Sequence, residues 1–310
     1  MAVRVEKSTW RNRFNSVSPG WNAVISIAMI IIAILTIAPV VLVFIISFST
    51  SYSIAQKGYS YFPIELSIEA YKLLFKGGSQ IVDSYICTIF YTVAGTVMSL
   101  FVMSMYAFVL SQKSFHAKKF YTYFIFFTML FSGGLVPSYI LNVRYLRLYD
   151  TIWIFLLPSL ISAYNVIILR TFINSSIPDA LFDAARIDGA SNFRIYVQIV
   201  LPLFKAGLAT IGLFQVVGRW NNWFTGMLYI ENPKLIPLQT MLQSIQRNIE
   251  FIKQNSELMN SREGQELLAS MPTESTQMAI LVVSVLPILF AYPFFQRYFI
   301  HGLTIGSVKG

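Results

Sequence analysis

Long apolar stretches alternate with short polar ones along this chain, and the apolar stretches have the length needed to cross a bilayer. A spanning α-helix takes ~20 predominantly apolar residues. Stretches at 24–48, 84–110, 120–141, 152–173, 206–229 and 277–298 meet that within a few positions. Pro39, Pro137, Pro158, Pro287 and Pro293 fall inside them. Spanning helices tolerate proline because neighbouring helices re-satisfy the freed backbone groups, so each is expected to mark a kink. The predicted fold class is an all-α integral membrane protein of about six transmembrane helices. The first stretch is too long for the ~7–15-residue apolar core of a secretory signal, and it is read as a retained span.

The connections differ in character. Residues 49–83 and 231–276 are long polar loops on one side of the membrane. In the second, Met241, Leu242, Ile245, Ile249 and Ile252 recur at helical spacing, which predicts a helix lying on the membrane surface or on a partner. Residues 174–205 form the long connection on the other side. Pro178 suits a first helical position there, and Asp179 and Asp183 favour the positive end of a short helix. Gly189 suits its stop by taking positive φ. Ser191 is placed to cap a second short helix running through Val200, and Pro202 marks the entry to the fifth span. A loop that merely joined two spans needs far fewer residues. The small residues Ala184 and Ala185 are expected on its surface, where another protein can approach closely.

Composition bears the membrane reading out. Of 310 residues 55% are hydrophobic and only 12% charged, half the ~25% usual in a soluble domain. A net charge of +9 invites a nucleic-acid reading. The basic residues, however, are spread through the connections instead of gathering on one hydrophilic face, so nucleic acid is excluded as a partner. Their distribution encodes topology. With the amino terminus inside, inner segments hold thirteen Lys and Arg and outer loops nine. Both termini are therefore expected in the cytoplasm, with an amino-terminal tail at 1–21, a membrane domain at 22–298 and a carboxy-terminal tail at 299–310. Cys87 is the single cysteine, so no intrachain disulfide is possible. His116 and His301 lie far apart, and no metal-ligand spacing exists.

Residues 183–202 carry a recognisable signature. Asp183-Ala184-Ala185, then Gly189, then Ile199-Val200-Leu201-Pro202 resembles the E-A-A-x3-G-x9-I-x-L-P motif of ABC importer permeases. The spacing matches throughout; the one departure is Asp183 for the usual Glu, which keeps the charge and shortens the reach by one methylene. Met129 to Pro137, Ile187-Asp188-Gly189-Ala190, Trp220-Asn221-Asn222-Trp223 and Gly302 to Gly306 extend the similarity over nearly the whole chain. It is to the carbohydrate-importer permeases, in the MalG-like branch of LplC and YtcP type. The resemblance implies a multi-pass subunit of the bacterial plasma membrane that forms a pore with a second homologous permease. Two ABC ATPase subunits would dock beneath, and an extracellular solute-binding protein would deliver a carbohydrate. The 174–205 loop is then the coupling helix, and Asp183, Ala184, Ala185, Gly189, Ile199, Leu201 and Pro202 are its expected contact residues.

Polar residues inside the spans are costly and mark a bundle interior or a water-filled path. Gln215, Arg219 and Asn222 recur at i, i+4 and i+7, on one helical face. Trp220, Asn221 and Trp223 flank them, and Tyr164 and Asn165 come from the fourth stretch. Amides and guanidinium suit sugar hydroxyls, and indoles suit the apolar faces of sugar rings. Three readings stand open: a substrate path, contact with the partner permease, or an Arg219 that snorkels to the outer interface beside a tryptophan belt.

No phosphate loop of the G-x4-G-K-[ST] type occurs, and two histidines leave no credible Ser/His/Asp set. The chain is not expected to be an enzyme or to hold a cofactor. ATP and magnesium would belong to the ATPase subunits. Two rivals remain: the same architecture carrying peptides or amino acids, and an ion-coupled secondary transporter. The latter normally wants carboxylates buried in the spans, whereas Asp83 and Asp150 sit at span ends.

Overall fold

The computed structural model describes residues 18–75, 80–255, 261–262 and 272–306. The predicted tail up to residue 17, part of the 231–276 loop and the last four residues of the carboxy-terminal tail lie outside the described residues. Every regular element described is helical; one isolated antiparallel bridge joins Ser49 to Leu66.

The chain divides into two units. Residues 1–70 and 273–282 form the first. Its long helix α1 (Pro19–Ser47) is apolar on all sides and almost wholly exposed, as a helix facing hydrocarbon would be. Helix α2 (Ser51–Lys57) follows, capped by Thr50, whose side chain accepts from the Ser53 N–H. Short helix α3 (Glu69–Phe75) carries the chain out of this unit. The long helix α15 (Glu274–Gly306) begins in the first unit and ends in the second.

Residues 71–272 and 283–310 form the second unit, built on α4 (Gln80–Ser111), a 32-residue helix. At 1.5 Å per residue α4 is about 48 Å long, longer than the ~30 Å hydrocarbon layer. Its buried face repeats small and hydroxyl residues every four positions: Ser84, Thr88, Thr92 and Thr96 on one row, Gly95, Ser99, Met103 and Ala107 on the next. Small residues let helix backbones approach where lipid supplies no hydrophobic drive to association. Two helices use that face, α8 (Ala163–Ser176) and α12 (Lys205–Trp220). Gly207 of α12 lies against the Phe172 ring, close enough that a Cβ would fall 2.9 Å from Cγ.

Two apolar cores form at opposite ends of α4. Cys87, Tyr91, Leu148, Phe155 and Tyr229 make one. Met103, Phe108, Val166, Leu169, Phe182 and Tyr196 lie in the other.

Among the described residues three helices are individually long and apolar enough to cross a membrane; two sharply bent pairs raise the number to five. The third span predicted at 120–141, with a kink at Pro137, is instead α5 (Lys118–Leu130) followed by α6 (Leu135–Ile140) and a π turn at Leu141–Tyr145, bent by 112°. Gly134, at φ +85°, makes the corner. The predicted fourth span is broken into α7 (Trp153–Leu156) and α8. Pro158 lies in that break. The predicted fifth span ends at Trp220 and resumes as α13 (Phe224–Tyr229). The predicted loop helix is α14 (Leu238–Gln254). It does not lie free on a surface: it packs back on α4 and α13 of its own chain. The buried Leu238 N–H donates to Thr88 Oγ1 at 2.9 Å, and Thr240 Oγ1 donates to the Trp223 carbonyl at 2.8 Å.

At the same end of α4, Asp150 takes φ +53° and its Oδ1 accepts the N–H groups of Glu231 and Asn232 at 3.0 and 2.7 Å. Beside it Tyr149 donates to Glu231 Oε1 at 2.6 Å. That hydrogen bond pushes the phenol up to about 12, so it stays protonated at neutral pH.

Candidate functional site

Two regions of the second unit carry the predicted functional residues. They lie at different depths along α4.

The first is the 174–205 loop, at the Ser111 end of α4. Helix α9 (Asp179–Ile187) starts after an extended Pro178 and ends in a Schellman turn. The Gly189 N–H donates to the Arg186 carbonyl at 3.0 Å and the Ala190 N–H to that of Ala185 at 2.9 Å, with Gly189 at φ +75°. That conformation is easy for glycine and strained for a side-chain-bearing residue. Ser191 Oγ accepts from the Arg194 N–H and so caps α10 (Asn192–Ile195), which runs through a π turn at Tyr196–Val200 into α11 (Leu201–Leu203). An 80° bend then leads into α12.

One face of this wedge is anchored and the other is open. Phe182 and Ala185 are buried, with Phe182 tilted against Phe108 of α4 at 6.4 Å between ring centres. Tyr196 Oη and Ser104 Oγ share a 2.6 Å hydrogen bond. Arg186 Nη2 donates to Oε1 of the buried Gln112 at 2.6 Å, and its Nη1 pairs with Asp183 at 3.3 Å. Lys113 pairs with Asp179 at 2.6 Å, and that hydrogen bond raises the lysine's pKa.

Ala185 therefore does not share the surface role expected for it beside Ala184. Three residues on, it faces the same way as Phe182, inward. Ile199 and Leu201 also pack against the core, while Pro202 is exposed. The open face carries Ala184, with Leu181, Ile187 at 86% exposure and Phe193 at 61%. Ile187 and Phe193, exposed on this face, are not among the contact residues expected from the sequence. The signal was present: five residues from Phe182, Ile187 falls on the far side of the same helix.

The second region is a cleft of about 240 Å³ lined by Ser159, Ile161, Ser162, Phe214, Gln215, Gly218, Arg219 and Asn222. Gln215 and Arg219 of α12 and Asn222 just beyond its end, the three polar residues predicted to share a face, thus line one cavity. Ser159 and Ser162 come from the break between α7 and α8 and were not anticipated. Arg219 is 5% exposed and does not reach the interface. Its guanidinium lies against Gly95, mid-way along α4, where a Cβ would fall 2.5 Å from Nη1. Nη1 donates to the Phe155 carbonyl at 2.8 Å; Nη2 donates to the Ser159 carbonyl at 2.9 Å and to Ser99 Oγ at 2.6 Å. Ser99 Oγ donates onward to the Ser159 carbonyl at 3.2 Å. Irregular backbone persists at membrane depth only where protein or a water-lined cavity serves its polar groups. Here Arg219 serves two carbonyls of the broken helix.

The flanking residues go elsewhere. Trp220 is buried and its indole N–H donates to the Ser284 carbonyl at 2.9 Å, so it belongs to no interfacial belt. Asn222 Oδ1 accepts from the Thr225 N–H at 3.2 Å, which starts α13. Trp223 is partly exposed, edge-on to Phe224. Tyr164, 57% exposed, and buried Asn165 stand in the first turn of α8 and do not line the cleft. Among the described residues no cluster of His, Cys, Asp and Glu fits a metal ion.

No protein-family model matches the chain. Individual proteins do. It is 35% identical over 283 residues to YtcP of Bacillus subtilis, the permease protein of a polygalacturonan/rhamnogalacturonan transport system, covering 91% of this chain and 96% of that one. LplC of the same organism is 35% identical over 276 residues, covering 89% and 90%. Among solved structures, a chain of a bacterial ABC transporter involved in import of the acidic polysaccharide alginate superposes with a TM-score of 0.77 at 30% identity, covering 92% of this chain and 99% of that one.

Proposed function

This chain belongs to the permease subunits of bacterial ABC importers for carbohydrates, and from that premise we propose how its two regions divide the work. It is a multi-pass protein of the bacterial plasma membrane, and such permease subunits are not themselves enzymes. The finer assignment is that both termini face the cytoplasm. A second homologous permease completes the pore, two ABC ATPase subunits hold ATP and magnesium, and an extracellular solute-binding protein supplies the sugar.

The observation that carries the coupling role is the two-sided build of the 174–205 wedge. Its inner face is packed and hydrogen-bonded to the end of α4. Its outer face offers Leu181, Ala184, Ile187 and Phe193 to solvent. Exposed apolar side chains on a rigid element suit docking into another protein's cleft. Closure of the ATPase pair then displaces α9, and the displacement reaches α4 through Phe108 and Gln112. The bundle responds by rocking between two packed arrangements. Gln215, Arg219 and Asn222 line the sugar's route on α12.

A cysteine-labelling and co-purification experiment tests this reading. With Cys87 replaced by alanine and cysteine placed at Ala184, a membrane-impermeant maleimide should label inverted vesicles and not intact cells. Co-expressed ATPase should co-purify with the chain and be lost on Ile187→Asp. Labelling from the outside, or an ATPase yield indifferent to Ile187→Asp, overturns the assignment.

A further inference from the structure

We propose that the cleft on α12 reads a negatively charged sugar unit, a uronate carboxylate, and that Arg219 supplies the charge it reads. This deepens the carbohydrate reading above and rests on it.

Arg219 is a buried cation whose charge nothing among the described residues cancels. Ion pairs join Lys113 with Asp179 and Asp183 with Arg186, both at the Ser111 end of α4 and away from Arg219. Its partners are two carbonyls and a hydroxyl, which solvate a guanidinium without neutralising it, and Nε is left with no partner at all. A permanently charged group in a low-dielectric interior projects its field into the nearest cavity.

That cavity is the cleft that Arg219 itself lines. Among the described residues no Asp or Glu lines it. The groups that do, Ser159, Ser162, Gln215 and Asn222, are neutral hydrogen-bonding groups suited to hydroxyls. A neutral sugar gains hydroxyl contacts here. A uronate gains those and the missing counter-charge.

The test compares trigalacturonic acid with its fully methyl-esterified form, which has the same sugar skeleton and no charge. Binding of each is measured to the assembled transporter in nanodiscs, without the solute-binding protein. The acid should bind more tightly than the ester, and sodium chloride should erode its advantage. Gln215→Glu places a carboxylate in the cleft, one turn from Arg219 on the same helical face and at none of its present hydrogen-bond partners. It should lower the ratio of acid to ester affinity by about tenfold, as one elementary charge at close range in a medium of effective dielectric ~20 can do, because Gln215 serves the hydroxyls of both sugars and only the acid meets the added charge. Equal binding of acid and ester, or equal loss of both on Gln215→Glu, overturns the charge reading and leaves the carbohydrate reading standing. Binding of neither sugar likewise overturns the charge reading, because a cleft that reads a uronate must hold one.

Discussion

Arg219 shows what a single residue does at membrane depth. Its head group reaches across from α12 and bonds the Phe155 and Ser159 carbonyls on either side of a helix break. Only the absence of a side chain at Gly95 leaves room for it. Arg219→Ala strips both carbonyls of a charged donor, worth ~1.5–3 kcal/mol for each hydrogen bond, and leaves them only the hydroxyls of Ser159 and Ser99. We expect a loss of about 2–5 kcal/mol, read as a lowered unfolding midpoint in detergent. Gly95→Ala, by displacing the same guanidinium, should move the midpoint in the same direction. An unchanged midpoint in Arg219→Ala would mean that water or Ser99 already satisfies the break.

At the scale of elements, α9 owes its geometry to the turn that ends it. Gly189 sits at φ +75° with open space around its Cα, so a side chain there strains the backbone without colliding with anything. For an L-residue the left-handed conformation costs ~1–2 kcal/mol, and β-branching adds to this. Gly189→Val should leave the protein inserted at normal level. Relaxing the strain reorients α10 relative to α9, and substrate-stimulated ATPase activity of the assembled transporter should fall several-fold. Normal stimulation would show that the wedge need not be rigid. The broken helices obey the same local logic. Gly134 makes the corner after α5, and Pro158, with no N–H to donate, lies where α7 gives way to α8.

For the molecule as a whole, α4 is the shaft that connects function at different depths. The wedge packs at its Ser111 end, the polar cleft stands near its middle at Gly95 and Ser99, and α14 covers its outer-loop end at Thr88. Gln112 joins wedge to shaft through one 2.6 Å hydrogen bond to Arg186. Gln112→Ala should therefore leave sugar binding at the cleft intact while reducing ATP-driven uptake, because force from α9 no longer reaches α4 through that link. Gln112→Glu keeps an acceptor for Arg186 and should restore uptake. Loss of uptake in Gln112→Glu equal to that in Gln112→Ala would assign the effect to packing instead.

The class of the protein, the bilayer-length helices α1, α4 and α15, the capped and glycine-stopped wedge and the shared face of Gln215, Arg219 and Asn222 were legible in the amino-acid order. Each depends on local spacing: helix length against membrane thickness, a cap before a turn, a glycine after one, a period near 3.6. Which side of a local feature faces inward was not legible. Ala184 and Ala185 are adjacent and chemically identical, yet one is exposed and the other lies against the core beside Phe182. Arg219 was compatible with an interfacial position until Gly95 and two carbonyls at a helix break, 60 and 64 residues away in the chain, gave it somewhere to go. Burial and hydrogen-bond partnership are set between distant segments, and only the folded chain brings those segments together.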